Sequence, residues 1–266
     1  MRLSKWTDHL TKRGPQPILI FMKKTLAPRR QQSFADLISV LKPKKIVELG
    51  SYKGQSIVAM LQYAKELNSY PNALCIDTWL GSIEHWNNKY PHGEFNFDSL
   101  LLTNGEPSLL GEFWSLVDEF DFRDQVEILR CPTYFAVWHL SNSWFDTNLV
   151  YIDADHATKS VIRDLVICTN SMPEATLSGD DFSWKSVRLA LVIHLLKHPR
   201  KWKLFVSQNC NTWVLVETRS LHRKMFENLK WSRQRIFFLC LVSTYDWLRN
   251  RYREMLSGVL SKSTET

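Results

Sequence analysis

The fold of this 266-residue chain is indicated most clearly by one segment, Val47-Glu48-Leu49-Gly50-Ser51-Tyr52-Lys53-Gly54. The residues from Lys45 to Val47 predict a strand, and the spacing of apolar residues from Gln55 to Leu67 predicts a helix. The two glycines fall in the turn between these elements, where the lack of a side chain lets a ligand approach the backbone closely. The segment therefore predicts a strand, a ligand-binding turn and a helix.

The residues of this turn favour a nucleotide-like ligand that carries an amino group. A dinucleotide-binding turn would have a third glycine where Ile57 stands. Glu48 precedes the first glycine and suits a cationic or amino-bearing ligand better than a pyrophosphate. Asp77 ends the next predicted strand, where a carboxylate can accept hydrogen bonds from both hydroxyls of a ribose. A structural alternative stays open, in which Gly50 and Gly54 only make a tight turn and Asp77 caps a helix.

Strands and helices alternate along the rest of the chain. Six further strands are predicted at Ala73–Thr78, Val126–Arg130, Leu149–Asp153, Ala175–Ser178, Lys203–Val206 and Thr212–Glu217. Most are separated by helical segments, which indicates a parallel sheet, and the last two have only a short polar link and are expected to pair antiparallel. We predict an α/β fold with a Rossmann-like, seven-stranded, mostly parallel sheet, helices on both faces, and helical N- and C-terminal extensions.

The charged residues divide the chain into basic ends and an acidic centre. Residues 1–30 carry eight Lys or Arg and one acid, residues 219–266 carry ten and four, and the whole chain has a net charge of +7. We therefore distinguish a basic N-terminal extension at 1–30, a central domain at 31–218 and a basic helical C-terminal extension at 219–266. Basic ends can bind nucleic acid or an anionic membrane, but solvated helix faces show the same pattern and are favoured here.

Hydropathy and cysteine spacing predict a cytoplasmic protein. No apolar run approaches the roughly 18 to 20 residues of a transmembrane helix. The run at 17–22 has basic residues on both sides and lacks the small-residue cleavage site of a signal peptide. The five cysteines are odd in number, widely spaced and embedded in apolar segments, which favours reduced thiols over disulfides or structural zinc.

Acidic residues follow two more of the predicted strands. Asp153, Asp155 and His156 follow one strand, and Asp180 and Asp181 follow the next. Neighbouring strand ends lie about 5 Å apart, so these carboxylates would repel one another unless a cation or a proton lay between them. Such oxygen ligands suit Mg²⁺, which would lower the pKa of a sugar or phenol hydroxyl, while His156 or Asp155 took its proton. In the alternative interpretation these acids are helix caps or surface charges.

The glycine segment and the segment around Asp77 resemble known methyltransferase motifs. The first is similar to motif one of the class I S-adenosylmethionine-dependent methyltransferases, and Cys75-Ile76-Asp77-Thr78-Trp79 is similar to motif two. The resemblance covers roughly residues 31–218. It implies that the glycine turn contacts the amino-acid part of the cofactor, that Asp77 holds the ribose and that Cys131-Pro132-Thr133 borders adenine. The implied cofactor-binding residues are Glu48, Gly50, Ser51, Gly54, Asp77 and Thr133.

The two acidic segments resemble a narrower subgroup. Residues 151–156 and 179–187 are similar to the matching parts of macrocin-type and other natural-product sugar O-methyltransferases, which depend on Mg²⁺. This resemblance implies that Asp153, Asp180 and Asp181 are metal ligands and that Asp155 or His156 is the base. We expect a metal-assisted O-methyltransferase that acts on a hydroxyl of a small molecule or glycan. An RNA methyltransferase and a non-catalytic binding module are the alternatives, and peripheral membrane contact and a homo-oligomer stay open.

Overall fold

The computed structural model describes residues 28–88, 96–198, 201–207, 211–229 and 231–234. In chain order, its strands are β1 (Lys45–Leu49), β2 (Asn72–Asp77), β3 (Leu102–Thr103), β4 (Glu106–Pro107), β5 (Val126–Arg130), β6 (Leu149–Ile152), β7 (Thr176–Gly179), β8 (Trp202–Ser207), β9 (Trp213–Glu217) and β10 (Trp231–Gln234). The short strands β3 and β4 form a separate antiparallel ribbon, and the other eight belong to one sheet.

Helices lie between most of these strands. The α-helices of the described residues are α1 (Pro28–Leu41), α2 (Gln55–Glu66), α3 (Ile83–Trp86), α4 (Leu109–Glu119), α5 (Val137–Ser143), α6 (Thr158–Ser171), α7 (Lys185–Lys197) and α8 (His222–Asn228). Short 3₁₀ turns occur at Asp98–Leu100, Arg123–Gln125 and Thr133–Phe135.

The main sheet has the strand order β10-β8-β9-β7-β6-β1-β2-β5. The five adjacent strands from β7 to β5 are parallel. The other three pairs, β7 with β9, β9 with β8 and β8 with β10, are antiparallel. The chain passes from β1 outward to β2 and β5, and then returns to β6 on the other side of β1. The strand order thus reverses between β1 and β6, and open α/β sheets bind ligands at the carboxyl ends of the strands at such a point.

Alternate residues of the central strand pack into two apolar layers on opposite faces of the sheet. Ile46 belongs to the cluster that includes Phe34 of α1 and Met60 of α2. Val47 belongs to the cluster that includes Leu165 of α6 and Leu191 of α7. Because successive side chains of a strand point to opposite faces, one short strand supports both layers. Burying each such side chain stabilises the fold by roughly 1.5–3 kcal/mol.

The Rossmann-like α/β class predicted from the sequence is confirmed. All seven predicted strands are present, and their bounds differ from the predictions by two residues or fewer. One difference concerns residues 219–266, which the sequence predicts as helical. The helix α8 lies there, but Trp231–Gln234 forms β10 and adds an eighth strand at the edge of the sheet. Pairing with β8 and the burial of Trp231, rather than local propensity, account for this strand.

Two other predictions concern the ends of the chain and the membrane. The helix α1 begins at Pro28, so it includes the last residues of the segment predicted as an extension, and residues 1–27 lie outside the described residues. Across the described ranges, every helix is too short or too polar to cross a bilayer.

Candidate cofactor and metal site

The glycine turn connects β1 to α2 and leaves no room for side chains at its two glycines. Gly50 and Gly54 both have φ of +84°, a left-handed conformation that favours glycine. A Cβ atom at Gly50 would lie 2.3 Å from the carbonyl oxygen of Asp153, and one at Gly54 would lie 2.9 Å from the ring of Phe113. The turn therefore touches the loop that follows β6, which places the predicted cofactor segment directly beside the predicted acidic segment.

Asp77 connects the glycine turn to the loop after β2. Its carboxylate accepts hydrogen bonds from the backbone N–H of Tyr52 at 2.9 Å and of Trp79 at 2.8 Å. The indole of Trp79 donates in turn to the carbonyl of Tyr52 at 2.8 Å. A carboxylate has about four lone-pair positions, so two backbone hydrogen bonds leave acceptor capacity for the hydroxyls of a ribose. Asp77 thus stabilises the two loops through hydrogen bonds, and this role is compatible with the predicted binding of a ribose.

Glu48 and Ser51 are buried on either side of Gly50. Glu48 is 1% exposed, and one of its carboxylate oxygens lies 4.0 Å from the sulfur of Cys75 on β2. Burial, together with the charge of Glu48, raises the pKa of the Cys75 thiol well above its ordinary value. The cofactor-binding candidates Glu48 and Ser51 are thus both buried at the glycine turn. The thiol of Cys75 beside them stays neutral at physiological pH.

Thr133 begins the 3₁₀ turn after β5, and its hydroxyl makes a hydrogen bond within the fold. It donates a hydrogen bond to Asp164 of α6 at 2.6 Å. Asp164 is 1% exposed, and burial raises its pKa to about 6, although the bond from Thr133 acts in the opposite direction. This bond leaves the methyl group and main chain of Thr133 as the parts that can border a cofactor.

Three predicted residues come together at the carboxyl ends of β6 and β7. The Nε2 atom of His156 lies 2.7 Å from a carboxylate oxygen of Asp181 and 3.5 Å from one of Asp153. Each residue offers one potential ligand atom, and the three atoms lie within 4.8 Å of one another. The side chains are 28%, 24% and 18% exposed for His156, Asp181 and Asp153, so the cluster is half-buried but open to an approaching ligand. We name these three residues the acidic cluster.

The charges of the acidic cluster compensate one another. Burial lowers the pKa of His156, but hydrogen bonds to Asp153 and Asp181 and their charges outweigh it and raise the pKa to about 10. A protonated imidazole therefore lies between the two carboxylates at neutral pH, as their mutual repulsion requires. The two carboxylates also offer oxygen ligands that suit a divalent cation, so the residues present fit such an ion in place of the proton, with the imidazole beside it.

Asp180 and Asp155 lie outside the acidic cluster. The backbone carbonyl of Asp180 accepts the indole N–H of Trp213 at 2.9 Å, and within the described ranges its side chain contributes no ligand atom to the cluster. The cluster thus contains His156 and lacks the side chain of Asp180, while the metal-binding role of Asp153, Asp180 and Asp181 stays a prediction. Asp155 accepts hydrogen bonds from the backbone N–H of Ala157 at 2.9 Å and from the hydroxyl of Ser160 at 2.6 Å. Asp155 thus holds the turn that precedes α6, whose N-cap residue is Ala157.

Two aromatic residues beside the site were not predicted to take part in it. Phe113 of α4 packs under Gly54, and the ring of Trp184 lies 4.8 Å from that of His156. The position of Trp184 three residues after Asp181 was the available signal, because residues just after a strand end line the ligand edge of such sheets.

Comparison with known proteins identifies the family. The methyltransferase domain family matches residues 47–182, just over half of the chain, and this range includes the glycine turn, Asp77 and the acidic cluster. The chain therefore belongs to the methyltransferase domain family and is an S-adenosylmethionine-dependent methyltransferase. A search of curated proteins finds no match to this sequence.

Solved structures with the same fold have low sequence identity. A putative O-methyltransferase from Klebsiella pneumoniae is 14% identical with a TM-score of 0.55, covering 81% of this chain and 96% of that one. The SAH-bound methyltransferase PaMTH1 from Podospora anserina is 11% identical with a TM-score of 0.50, covering 81% and 87%. The O-methyltransferase NovP is 16% identical with a TM-score of 0.50, covering 72% and 80%. These likenesses support the fold.

Proposed function

We propose that this methyltransferase transfers the methyl group of S-adenosylmethionine to a hydroxyl oxygen of a small molecule or glycan, with a divalent cation such as Mg²⁺ at the acidic cluster. One observation carries the proposal: the glycine turn and the acidic cluster are in contact, because a Cβ atom at Gly50 would lie 2.3 Å from the carbonyl oxygen of Asp153. A methyl donor on the turn and an acceptor oxygen at the cluster would be neighbours, as methyl transfer requires.

The cofactor is assigned to the residues around the glycine turn. Glu48, Gly50, Ser51 and Gly54 would surround its amino-acid part, since the turn allows close approach to the backbone. Asp77 would accept the ribose hydroxyls at the end of β2, and Thr133 would border the adenine. Support comes from the position of all these residues at the carboxyl ends of β1, β2 and β5, on the ligand edge of the sheet.

The acidic cluster would prepare the acceptor hydroxyl for attack on the methyl group. Asp153 and Asp181 would hold the cation, which when bound lowers the pKa of a hydroxyl beside it. His156 would lose its proton in this state, because a neighbouring positive charge disfavours the imidazolium. Its neutral Nε2 atom, released from Asp181 when that carboxylate holds the cation, could then accept the proton of the acceptor hydroxyl. Asp155, which accepts hydrogen bonds from Ala157 and Ser160, is the less suitable base.

The metal assignment is tested by a pair of adjacent substitutions. Asp181→Asn should weaken Mg²⁺ binding by at least about tenfold and abolish methyl transfer. Asp180→Asn should leave Mg²⁺ binding nearly unchanged, because the side chain of Asp180 lies outside the cluster. Calorimetric titration with Mg²⁺ and with S-adenosylmethionine provides the measurement, and both variants should keep their cofactor affinity. Full activity of the wild-type protein in excess EDTA would show that the reaction needs no cation.

The location and partners of the protein belong to the same proposal. A cytoplasmic location is supported by the free thiols of Cys75, Cys131 and Cys168, which a reducing compartment preserves. A small-molecule or glycan acceptor is proposed as the main partner, and self-association or contact with a membrane surface as secondary ones. Nucleic acid is the less favoured partner, and most of the basic residues that would bind it, at 1–27 and 235–266, lie outside the described residues.

A further inference from the structure

The 3₁₀ turn after β5 has little internal support. Two backbone hydrogen bonds close it, from the N–H of Phe135 to the carbonyl of Pro132 at 2.9 Å and from that of Ala136 to the carbonyl of Thr133 at 3.1 Å. The side chains of Tyr134 and Phe135 are 41% and 68% exposed, so little of the turn is buried. The hydrogen bonds of 3₁₀ turns also have poorer geometry than those of α-helices. The conformation of this turn therefore depends on contacts from another element.

Two successive residues of α6 supply such contacts. Asp164 accepts the hydroxyl of Thr133 at 2.6 Å, although the two residues are 31 positions apart in the sequence. The guanidinium of Arg163 lies over the ring of Tyr134, 4.3 Å from its centre. Hydrogen bonds to a carboxylate are stronger than those between neutral groups, and the face of an aromatic ring attracts a cation. Adjacent residues of the helix thus hold adjacent residues of the turn.

The carboxyl group of Asp164 is unfavourable for the stability of the fold. It is 1% exposed, and burial raises its pKa to about 6, although the bond from Thr133 and the charge of Arg163 act in the opposite direction. The charge of Asp155 raises this pKa further, and the buried thiol of Cys168 on α6 is neutral. An amide could accept the same hydroxyl with no charge to bury. The carboxylate adds a stronger bond to Thr133, and residues that lower stability in this way are common at functional sites.

We propose that Arg163 and Asp164 are positioning residues for the cofactor, which hold the turn after β5 in the conformation that binds the adenine ring. This inference rests on the proposed function, which assigns this turn to the adenine. The two residues act on the cofactor through Tyr134 and Thr133. A flat ring makes many van der Waals contacts at once, and a gap of roughly 0.5–1 Å already loses about a quarter to a half of each. The affinity for adenine should therefore depend on how firmly the turn is held.

The main test removes the hydroxyl that Asp164 accepts and compares two ligands. Calorimetry at pH 8 measures how the full-length protein binds S-adenosylhomocysteine and S-ribosylhomocysteine, which lacks the adenine, and NMR competition covers weak binding. Thr133→Val keeps the shape of the side chain but removes its hydroxyl. It should weaken the binding of S-adenosylhomocysteine by at least about tenfold and change that of S-ribosylhomocysteine by less than about twofold.

Two further threonine substitutions serve as controls. Thr133→Ser keeps the hydroxyl and should bind S-adenosylhomocysteine within about threefold of the wild-type protein. Thr169→Val makes the same chemical change elsewhere on α6, where the hydroxyl of Thr169 donates to the carbonyl of Leu165 at 2.7 Å. It should leave the affinities for both ligands within about twofold.

A second test uses the opposite effects of Asp164 on stability and on binding. Asp164→Asn should be more stable than the wild-type protein at pH 8, yet bind S-adenosylhomocysteine at least about threefold more weakly, because a neutral amide makes a weaker bond to Thr133. At pH 5 the two proteins should bind it equally, because a pKa of about 6 leaves Asp164 largely protonated there. Arg163→Gln removes the cation from the ring of Tyr134 and should weaken binding by about threefold at both pH values.

The outcomes separate this inference from the proposed function. Failure of the wild-type protein to bind S-adenosylhomocysteine would remove the proposed function itself. Normal binding by the wild-type protein, with equal effects of Thr133→Val on the two ligands, would show that the turn does not hold the adenine. Equal affinities of Asp164→Asn and the wild-type protein for S-adenosylhomocysteine at pH 8 would overturn the role of Asp164. Circular dichroism shows whether Thr133→Val folds, and the more stable Asp164→Asn decides the question if it does not.

Discussion

Gly50 is the residue through which the cofactor turn and the acidic cluster meet. Its φ of +84° requires a left-handed backbone, and its missing side chain lets the carbonyl of Asp153 approach. Gly105, in the turn between β3 and β4, has nearly the same φ of +85°, but a Cβ atom there would have no neighbour within 4 Å. Alanine substitutions at these two glycines therefore distinguish the destabilisation caused by backbone strain from that caused by a steric clash.

We predict that Gly50→Ala is much more damaging than Gly105→Ala. Strain alone should lower the free energy of unfolding by about 1–2 kcal/mol in either variant. Gly50→Ala should cost more, because its Cβ would lie 2.3 Å from a backbone oxygen that cannot move without displacing Asp153. It should also weaken S-adenosylmethionine binding by at least about tenfold. Urea unfolding and calorimetry provide the measurements, and equal losses in the two variants would contradict the steric argument.

The sequence predicts the membership of the acidic cluster only in part. Asp153 and Asp181 could be placed together because they follow neighbouring parallel strands. The choice between Asp180 and Asp181 could not be predicted, because it depends on the left-handed backbone of Asp181, with φ of +59°, and adjacent residues in such a turn point in different directions. The hydrogen bonds of Asp155 to Ala157 and Ser160 depend in the same way on where α6 begins, and sequence-based helix starts are uncertain by one or two residues.

The helix α6 connects both sides of the site. It begins just after the loop that carries His156, and one of its buried residues, Asp164, accepts the hydroxyl of Thr133 from the turn after β5. Burial raises the pKa of Asp164 to about 6. The folded protein thus holds this proton more tightly than the unfolded chain does. The stabilisation is complete below about pH 4, and it is lost as the pH rises through about 6.

We predict that Asp164→Asn removes this pH dependence. The amide keeps an oxygen that can accept the hydroxyl of Thr133, but it carries no charge to bury. The variant should be more stable than the wild-type protein above pH 6 by up to about 3 kcal/mol, and the difference should shrink toward pH 4. Urea unfolding between pH 4 and pH 8 tests this, and parallel curves for the two proteins would refute it. Thr133→Val should steepen the dependence, because it removes a bond that stabilises the carboxylate.

At the scale of elements, periodicity predicts the strands well and their partners less well. The parallel strands inside the sheet are short, largely apolar and buried on both faces, as β6 with its four buried residues shows, and such runs are recognisable in a sequence. The strand β10 is different, because only Trp231 among its four residues is buried. Its conformation depends on an edge that β8 offers from far away in the sequence. The local sequence pattern of residues 231–234 therefore does not predict the pairing with β8.

The whole molecule depends on residues beyond the region that carries the methyltransferase motifs. Phe226 of α8 and Trp231 of β10 are buried in the same apolar cluster as α1 and α2. The indole of Trp231 donates to the carboxylate of Asp36 on α1 at 2.8 Å, across 195 residues of sequence. The elements after Thr218 thus help to close the core over the face of the sheet that α1 covers.

We predict that a chain ending at Gln234 keeps the fold and that a chain ending at Thr218 is severely destabilised. The shorter chain would lose two buried aromatic side chains, each of which contributes roughly 3–5 kcal/mol when removed by truncation to alanine. It would also leave Asp36 buried without its indole partner. Urea unfolding and size-exclusion chromatography compare the two chains. A monomeric protein of unchanged stability that ends at Thr218 would disprove the prediction.

The edge position of β10 also has a consequence for biosynthesis. A ribosome makes β8 and β9 before it makes β10, so the outer edge of β8 emerges with its N–H and C=O groups unpaired. Exposed edges of this kind pair readily with other chains. The nascent protein is therefore most vulnerable to association in the interval between the synthesis of Ser207 and that of Gln234. Trp231, the first residue of β10, begins to cover the edge of β8, and Gln234 completes the pairing.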